Sequence, residues 1–192
     1  IAELCRTFVD VHRVGIRVVD NQREELAQRN YAPALWAAVL SCASARQRFT
    51  TFVSELECVA GEEFTVHLEP LTGTWFQSCP LIYEFDVVGR LIIGPFRTDE
   101  SPAPALDGTE VSPTQLMNLL TELPIQTVEA LSSKIAMLRK GIEVSCHAGH
   151  RALLTNQIHV DSINEANREL ETVNVELAKR NASLQASVVR MQ

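Results

Sequence analysis

The sequence predicts an α/β protein of the α+β kind, an antiparallel sheet flanked by helices, with a long helix at the C-terminus. Three observations predict it. Apolar and polar residues alternate in short runs between Phe64 and Ile93, as in strands that bury one face. Apolar residues spaced by three and four occupy the segments before and after, as in helices lying on a core. The C-terminal residues repeat every seven positions without Pro or Gly.

Taken in order, Ile1, Leu4, Cys5, Phe8 and Val9 are spaced for an opening amphipathic helix over Ile1 to Val11. Val14 to Asp20 alternates as a strand, and Asp20-Asn21 with the polar run through Asn30 reads as a loop. Pro33 to Leu56 is Ala-rich and free of internal Gly and Pro, a helix with room for one break near Ser41 to Ser44. Phe64 to Leu68, Thr74 to Glu84 and Arg90 to Ile93 are expected to be three strands, with a turn over Phe85 to Gly89. Pro80 cannot donate to a ladder, so it marks an edge or a bulge, and Gly94-Pro95 is expected to end the third strand. Arg97 to Val111, with Pro102, Pro104 and Gly108, reads as a loop. Ser112-Pro113-Thr114-Gln115 has the form of a capping box, and Pro124 is expected to start the next helix, whose face is Val128, Leu131, Ile135, Leu138 and Ile142. The expected division is a globular domain over 1–157 and a helical tail over 158–192.

The tail carries the sharpest pattern. Ile163, Leu170, Leu177, Leu184 and Met191 recur every seven residues and fit heptad position d. Position a then holds Val160, Asn167, Asn174, Asn181 and Val188. Leu at d suits a parallel dimer, and buried Asn at a fixes register at a cost in stability. Two arrangements are open, a parallel homodimer and an amphipathic helix folded back on its own domain; the heptads favour the first. Such a pair transmits small shifts along its length, or serves as a plain dimerisation device.

Composition excludes several functions. Seventeen Lys and Arg stand against 24 Asp and Glu, a net charge of −7, and no Lys or Arg lies between Arg48 and Arg90. The basic stripe that phosphate neutralisation needs is missing, so neither nucleic acid nor an anionic membrane surface is expected as a partner. The longest apolar run, Ala34 to Leu40, is far short of the roughly 20 residues that span a bilayer. No basic, then apolar, then small-residue pattern follows Ile1, so no signal peptide is expected, and the missing Met suggests a piece of a longer chain. Five cysteines scattered singly suggest reduced thiols in the cytoplasm. Cys146 and His150 lie four apart on a helix but are half a site, so no metal and no other cofactor is expected. No motif of acyl or phosphoryl transfer or of dinucleotide binding is present, His159-Val160-Asp161 lacks the setting of a phosphoacceptor, and no enzyme is expected.

Leu71-Thr72-Gly73-Thr74-Trp75-Phe76, Pro80-Leu81 and the run Asp86-Val87-Val88-Gly89-Arg90-Leu91-Ile92-Ile93-Gly94-Pro95-Phe96 resemble the PocR-type sensory domain of bacterial signalling proteins, with Val14 to Asp20 similar to its first strand. The likeness covers Leu4 to Phe96, and the helices to about His159 fit the C-terminal part. It implies a PAS-like or GAF-like fold around a small-molecule pocket, joined to a histidine kinase, response regulator or transcription factor, with a C-terminal output domain in the parent chain. Places where relatives tend to carry cysteines hold Trp36, Phe49 or Thr50, and Pro70, so cysteine chemistry is not implied.

A ligand pocket is then expected between the sheet and the helix bearing Trp36. Trp36, Trp75, Phe76, Tyr83 and Phe96 are candidate walls, and His67, Arg90 and Arg97 candidate polar anchors. Alternation puts Trp75, Gln77 and Cys79 on one face and Phe76 and Ser78 on the other, so Trp75 and Phe76 share a pocket only if a bulge intervenes. The expected function is a cytoplasmic ligand-sensing input domain that dimerises through its tail. The alternative is a degenerate sensor fold that acts as an interaction module without ligand.

Overall fold

The computed structural model describes residues 1–59, 63–105 and 112–190, and within 184–190 the backbone alone. Two compact units divide the chain, Ile1–Ser145 and Cys146–Gln192.

The first unit is built on a five-stranded antiparallel sheet in which β2 (Glu25–Arg29), β1 (Ile16–Asp20), β5 (Asp86–Phe96), β4 (Thr74–Tyr83) and β3 (Thr65–Glu69) lie side by side in that order. Helix α1 (Ala2–His12) buries Cys5, Phe8 and Val9, the residues its apolar spacing selects, and ends where Arg13 turns left-handed and donates its N–H to Val9 O. Strand β1 (Ile16–Asp20) follows. The polar run after it is not a loop throughout: Glu25–Arg29 forms β2, paired antiparallel with β1. Only Ala27 of β2 is even half-buried, so no alternation announces it. Its partner makes it a strand, through the turn that the Asp20 carboxylate builds by accepting the N–H groups of Gln22 and Glu24 at 2.8 Å each.

The Ala-rich segment is two helices, α2 (Pro33–Ser41) and α3 (Ala43–Cys58), separated at Cys42, which is extended. The break falls where Ser41 to Ser44 allow it. Strands β3 (Thr65–Glu69), β4 (Thr74–Tyr83) and β5 (Asp86–Phe96) supply the alternating centre. The β4–β5 turn is tighter than expected. Tyr83 pairs with Asp86, leaving Glu84 and Phe85 alone in the loop with φ of 49° and 74°, so Asp86 to Gly89 belong to β5. Nor does Gly94-Pro95 end the strand, because β5 continues to Phe96, which pairs with Trp75. Pro80 sits beyond Ser78, the last residue of β4 that β3 pairs, where among the described residues β4 has no neighbour on that side, and the register shifts one step later between Leu81 and Ile82.

After Phe96, Arg97 bridges to Ile125: its N–H donates to Pro124 O and its carbonyl accepts from Gln126 N. These bonds hold Pro124 to Gln126 extended, so the last helix starts at Val128 rather than at Pro124. Part of the expected loop, 106–111 with Gly108, lies outside the described residues. Helix α4 (Pro113–Thr121) starts at Ser112, which accepts the N–H of Leu116 through its carbonyl, but no side-chain cap bond forms and the expected capping box is not made.

Two cores sandwich the sheet. On one face Phe76 and Ile92 pack with Leu35, Trp36 and Val39 of α2, Ala45 and Leu56 of α3, and Leu116 and Leu120 of α4. On the other, Gln77 of β4 reaches Ser132 of α5 (Val128–Arg190), whose Leu131, Ile135, Leu138 and Ile142 are buried.

The second unit is helical as far as it is described, and every residue over 147–183 is exposed. No helix among the described residues is long and apolar enough to cross a membrane.

Candidate functional site

The face beneath α2 and α3 is filled with rings. Trp36 lies 4.3 Å from Phe49 and 6.2 Å from Phe76, centroid to centroid, and Phe52 meets Phe76 edge-on at 5.3 Å. What remains beside Trp36 is a cleft of about 70 Å³, also bordered by Arg17, Phe49, Phe76 and Gly94.

A larger cleft, about 670 Å³, runs between α3 and β3 and is lined by Arg48, Thr51, Phe52, Glu55, His67 and Glu69, among others. His67 Nε2 lies 2.8 Å from Thr65 Oγ1. Burial, and then the charge of Arg90, holds the His67 imidazole below its ordinary value, so the ring is neutral near neutral pH. Arg90 is 7% exposed in the centre of β5, and its Nη1 donates to Ser78 Oγ at 3.4 Å. A long side chain thus carries a cation under the same face, at a burial cost that lowers its own pKa.

The other candidates lie elsewhere. Trp75 borders a cleft of about 310 Å³ with Thr98, Gln126, Val128 and Glu129, on the α5 side. The register does shift between Trp75 and Gln77, yet Trp75 and Phe76 still face opposite ways. Phe96 is fully buried, Tyr83 is half-buried at the end of β4, and Arg97 is held by its backbone bridge and by donating Nη1 to Leu120 O at 3.5 Å. Trp36, His67 and Arg90 therefore share one face of the sheet, while Trp75 stands on the other.

Sequence reasoning missed Glu69. Its carboxylate, 1% exposed, accepts the N–H groups of Leu71 and Thr72 at 3.0 and 2.8 Å and the hydroxyl of Thr72 at 2.5 Å. The only signal was an acid just before the Leu71 to Thr74 turn. That turn is architectural: Gly73 has φ of +68°, and a Cβ there would collide with the Pro102 carbonyl oxygen. Gly94, with φ of +154°, lets the Phe76 ring lie against the backbone.

Among the described residues no group of three or more His, Cys, Asp or Glu is placed to hold a metal ion. Cys79 is fully buried, and burial pushes its thiol up to about 11 against the opposing pull of Arg139.

On the tail, Val160, Ile163, Leu170 and Leu177 are 54%, 60%, 59% and 52% exposed, and Asn167, Asn174 and Asn181 are exposed between them. The side chains of Leu184 and Val188, and all of Met191, lie outside the described residues. No family model matches this chain, and no curated protein matches it either.

Proposed function

We propose that this chain is the input module of a bacterial signal-transduction protein, of the PocR-like kind, which senses a small organic molecule in the cytoplasm as a parallel homodimer and passes the signal to an output domain through α5. The observation that carries this reading is the stripe of Val160, Ile163, Leu170 and Leu177, more than half exposed on a single chain at heptad spacing. Apolar knobs spaced by sevens and interleaved with asparagines suit a seam against an identical helix, where each amide meets its own copy.

A second relationship supports transmission. Counted back in sevens from Ile163, the same heptad position falls on Asn156, Gly149, Ile142 and Ile135, and the last two are buried in the globular unit. The heptad count of the knobs thus continues in sequence into buried positions at the start of α5.

The α3–β3 cleft has a volume within the range of small-molecule sites and contains His67, which supports it as the place a ligand enters. The degenerate-sensor reading draws on the tight ring packing around Trp36, which leaves only about 70 Å³ beside it.

Cross-linking tests the dimer. In the full chain with Cys58 and Cys146 replaced by serine, Leu170→Cys is expected to oxidise to a covalent dimer, while Glu169→Cys, off the seam, is not. Equal yields at both positions, or none at either, refute the parallel pair. A thermal-shift screen with metabolites, read beside mass spectrometry for a carried-over compound, separates sensor from degenerate fold: a compound that raises the melting temperature supports sensing, and a flat screen with an empty protein supports the second reading.

A further inference from the structure

The two walls of the α3–β3 cleft are of different kinds. One is a strand edge. β3 pairs with β4 over Thr65–Glu69 without a register shift, contains no Pro, and among the described residues nothing pairs with its outer side. The cleft takes in Val66, His67, Leu68 and Glu69 in succession, residues of both faces of the strand, so its space runs along that edge and its backbone N–H and C=O groups. The other wall is a helix face bearing charge. Arg48, Thr51 and Glu55 of α3 are exposed, border the cleft and share one face at spacings of three and four. Seven residues put the backbones of Arg48 and Glu55 about 10.5 Å apart along the helix axis. No ion pair joins either of them to another described residue. The remaining carboxylate, Glu69, is turned into its own chain to accept from Leu71 and Thr72. The cleft therefore offers an occupant one cation, one anion and a strand edge.

We propose that the ligand of this cleft is a short peptide with free ends, about three residues long, lying along β3 as an added strand with its carboxylate at Arg48 and its ammonium at Glu55. The proposal rests on the reading of this cleft as the sensing site and names the class of molecule sensed. Length and charge fit together: an extended tripeptide spans about 10 Å, close to the separation of the two α3 charges. Between the ends, peptide N–H and C=O groups satisfy those of the β3 edge, while Val66 and Leu68, each 36% exposed, take apolar side chains on one face. An alkyl chain with the same two end charges matches Arg48 and Glu55 but leaves the edge groups to water. A longer peptide carries uncharged amides past one or both of these side chains.

Calorimetric titration of the full chain with trialanine tests this. N-acetylation and C-amidation of the peptide are each expected to weaken binding about fivefold, the size of one exposed ion pair. Glu55→Gln is expected to weaken the free peptide but not the acetylated one, and Arg48→Gln the free peptide but not the amidated one. Trialanine at about ten times its dissociation constant is expected to slow amide exchange within Thr65–Glu69 about tenfold. No binding at millimolar trialanine overturns the proposal, as does binding that ignores both blocked ends or leaves exchange over Thr65–Glu69 unchanged. The blocked peptides act on the unaltered chain, so a variant that fails to fold leaves the test intact. Thr51→Trp, which fills the cleft, separates the peptide from the reading beneath it. Should a compound of another class raise the melting temperature and Thr51→Trp abolish that gain, the cleft is the sensing site and the peptide is wrong. Should the gain survive Thr51→Trp, the site lies elsewhere and both fall.

Discussion

Gln77 Nε2 donates to Ser132 Oγ at 2.6 Å, and Ser132 Oγ in turn donates to Val128 O at 2.8 Å, so one polar chain ties the centre of β4 to the start of α5. Gln77 is fully buried, out of reach of bulk solvent. Ser132→Ala is therefore expected to cost about 1–3 kcal/mol, the desolvation penalty of an amide left without its acceptor. Urea unfolding measures it, and a loss within about 0.5 kcal/mol, as for a surface substitution, contradicts it.

Glu69 holds the turn that carries Gly73. Glu69→Ala removes the acceptor for two backbone N–H groups and the Thr72 hydroxyl, and is expected to destabilise the fold by about 3 kcal/mol. Glu69→Gln, which keeps the shape, is expected to cost less. Equal losses in the two variants, read from denaturant midpoints, would show that charge and not shape dominates.

Phe85 is 96% exposed at the β4–β5 turn with φ of 74°, a conformation that costs a bulky L-residue about 1–2 kcal/mol. Glycine relieves this strain but loses about 0.5–1 kcal/mol of backbone entropy on folding. Phe85→Gly is expected to leave the protein more stable by about 0.5–1 kcal/mol, the balance of those two effects. A lower melting temperature would mean that Phe85 makes contacts in solution.

His67 and His12 are both held below the ordinary imidazole value of 6.5, by burial first and then by the charges of Arg90 and Lys134 respectively. The unfolded chain binds protons on these rings at pH values where the folded chain does not. Stability is thus expected to fall as pH drops through about 6.5 and to level off, for these groups, below their folded pKa values. Melting curves between about pH 7.5 and about pH 5 measure the slope, and the double variant His12→Gln/His67→Gln is expected to flatten it.

Asn174 is exposed between Leu170 and Leu177, at the position a that the proposed coiled coil gives it. Asn174→Val is expected to strengthen self-association of the tail while loosening its register, since a buried amide trades stability for alignment. Tighter sedimentation together with a wider spread of cross-linked positions supports the assignment; weaker association contradicts it.

Elements whose own residues announce which side is apolar were legible in the sequence. Cys5, Phe8 and Val9 foretold α1, and Leu131, Ile135, Leu138 and Ile142 foretold the buried face of α5. Strand β2 was not legible, because only Ala27 is even half-buried and its pairing with β1 is the whole cause of its conformation. The start of α5 was misplaced for a similar reason: Pro124 suits a first helical turn, but Arg97, distant in sequence, holds Pro124 and Gln126 extended. Of the candidate ligand residues, the separation of Trp75 from Phe76 follows from alternation, whereas the shared face of His67 and Arg90 depends on the pairing of three strands.

By itself, then, the sequence determined the α+β class, the sheet's central strands, and the heptad spacing of Val160 to Leu177, because periodicity is a local property that each segment carries wherever it packs. Tertiary structure alone decided that a polar run becomes an edge strand, that the space around Trp36 is filled by Phe49 and Phe76, and that the roomier cleft opens beside β3. Those outcomes depend on which distant backbone groups supply the hydrogen bonds and which side chains reach a shared volume first, and no window of neighbouring residues contains that information.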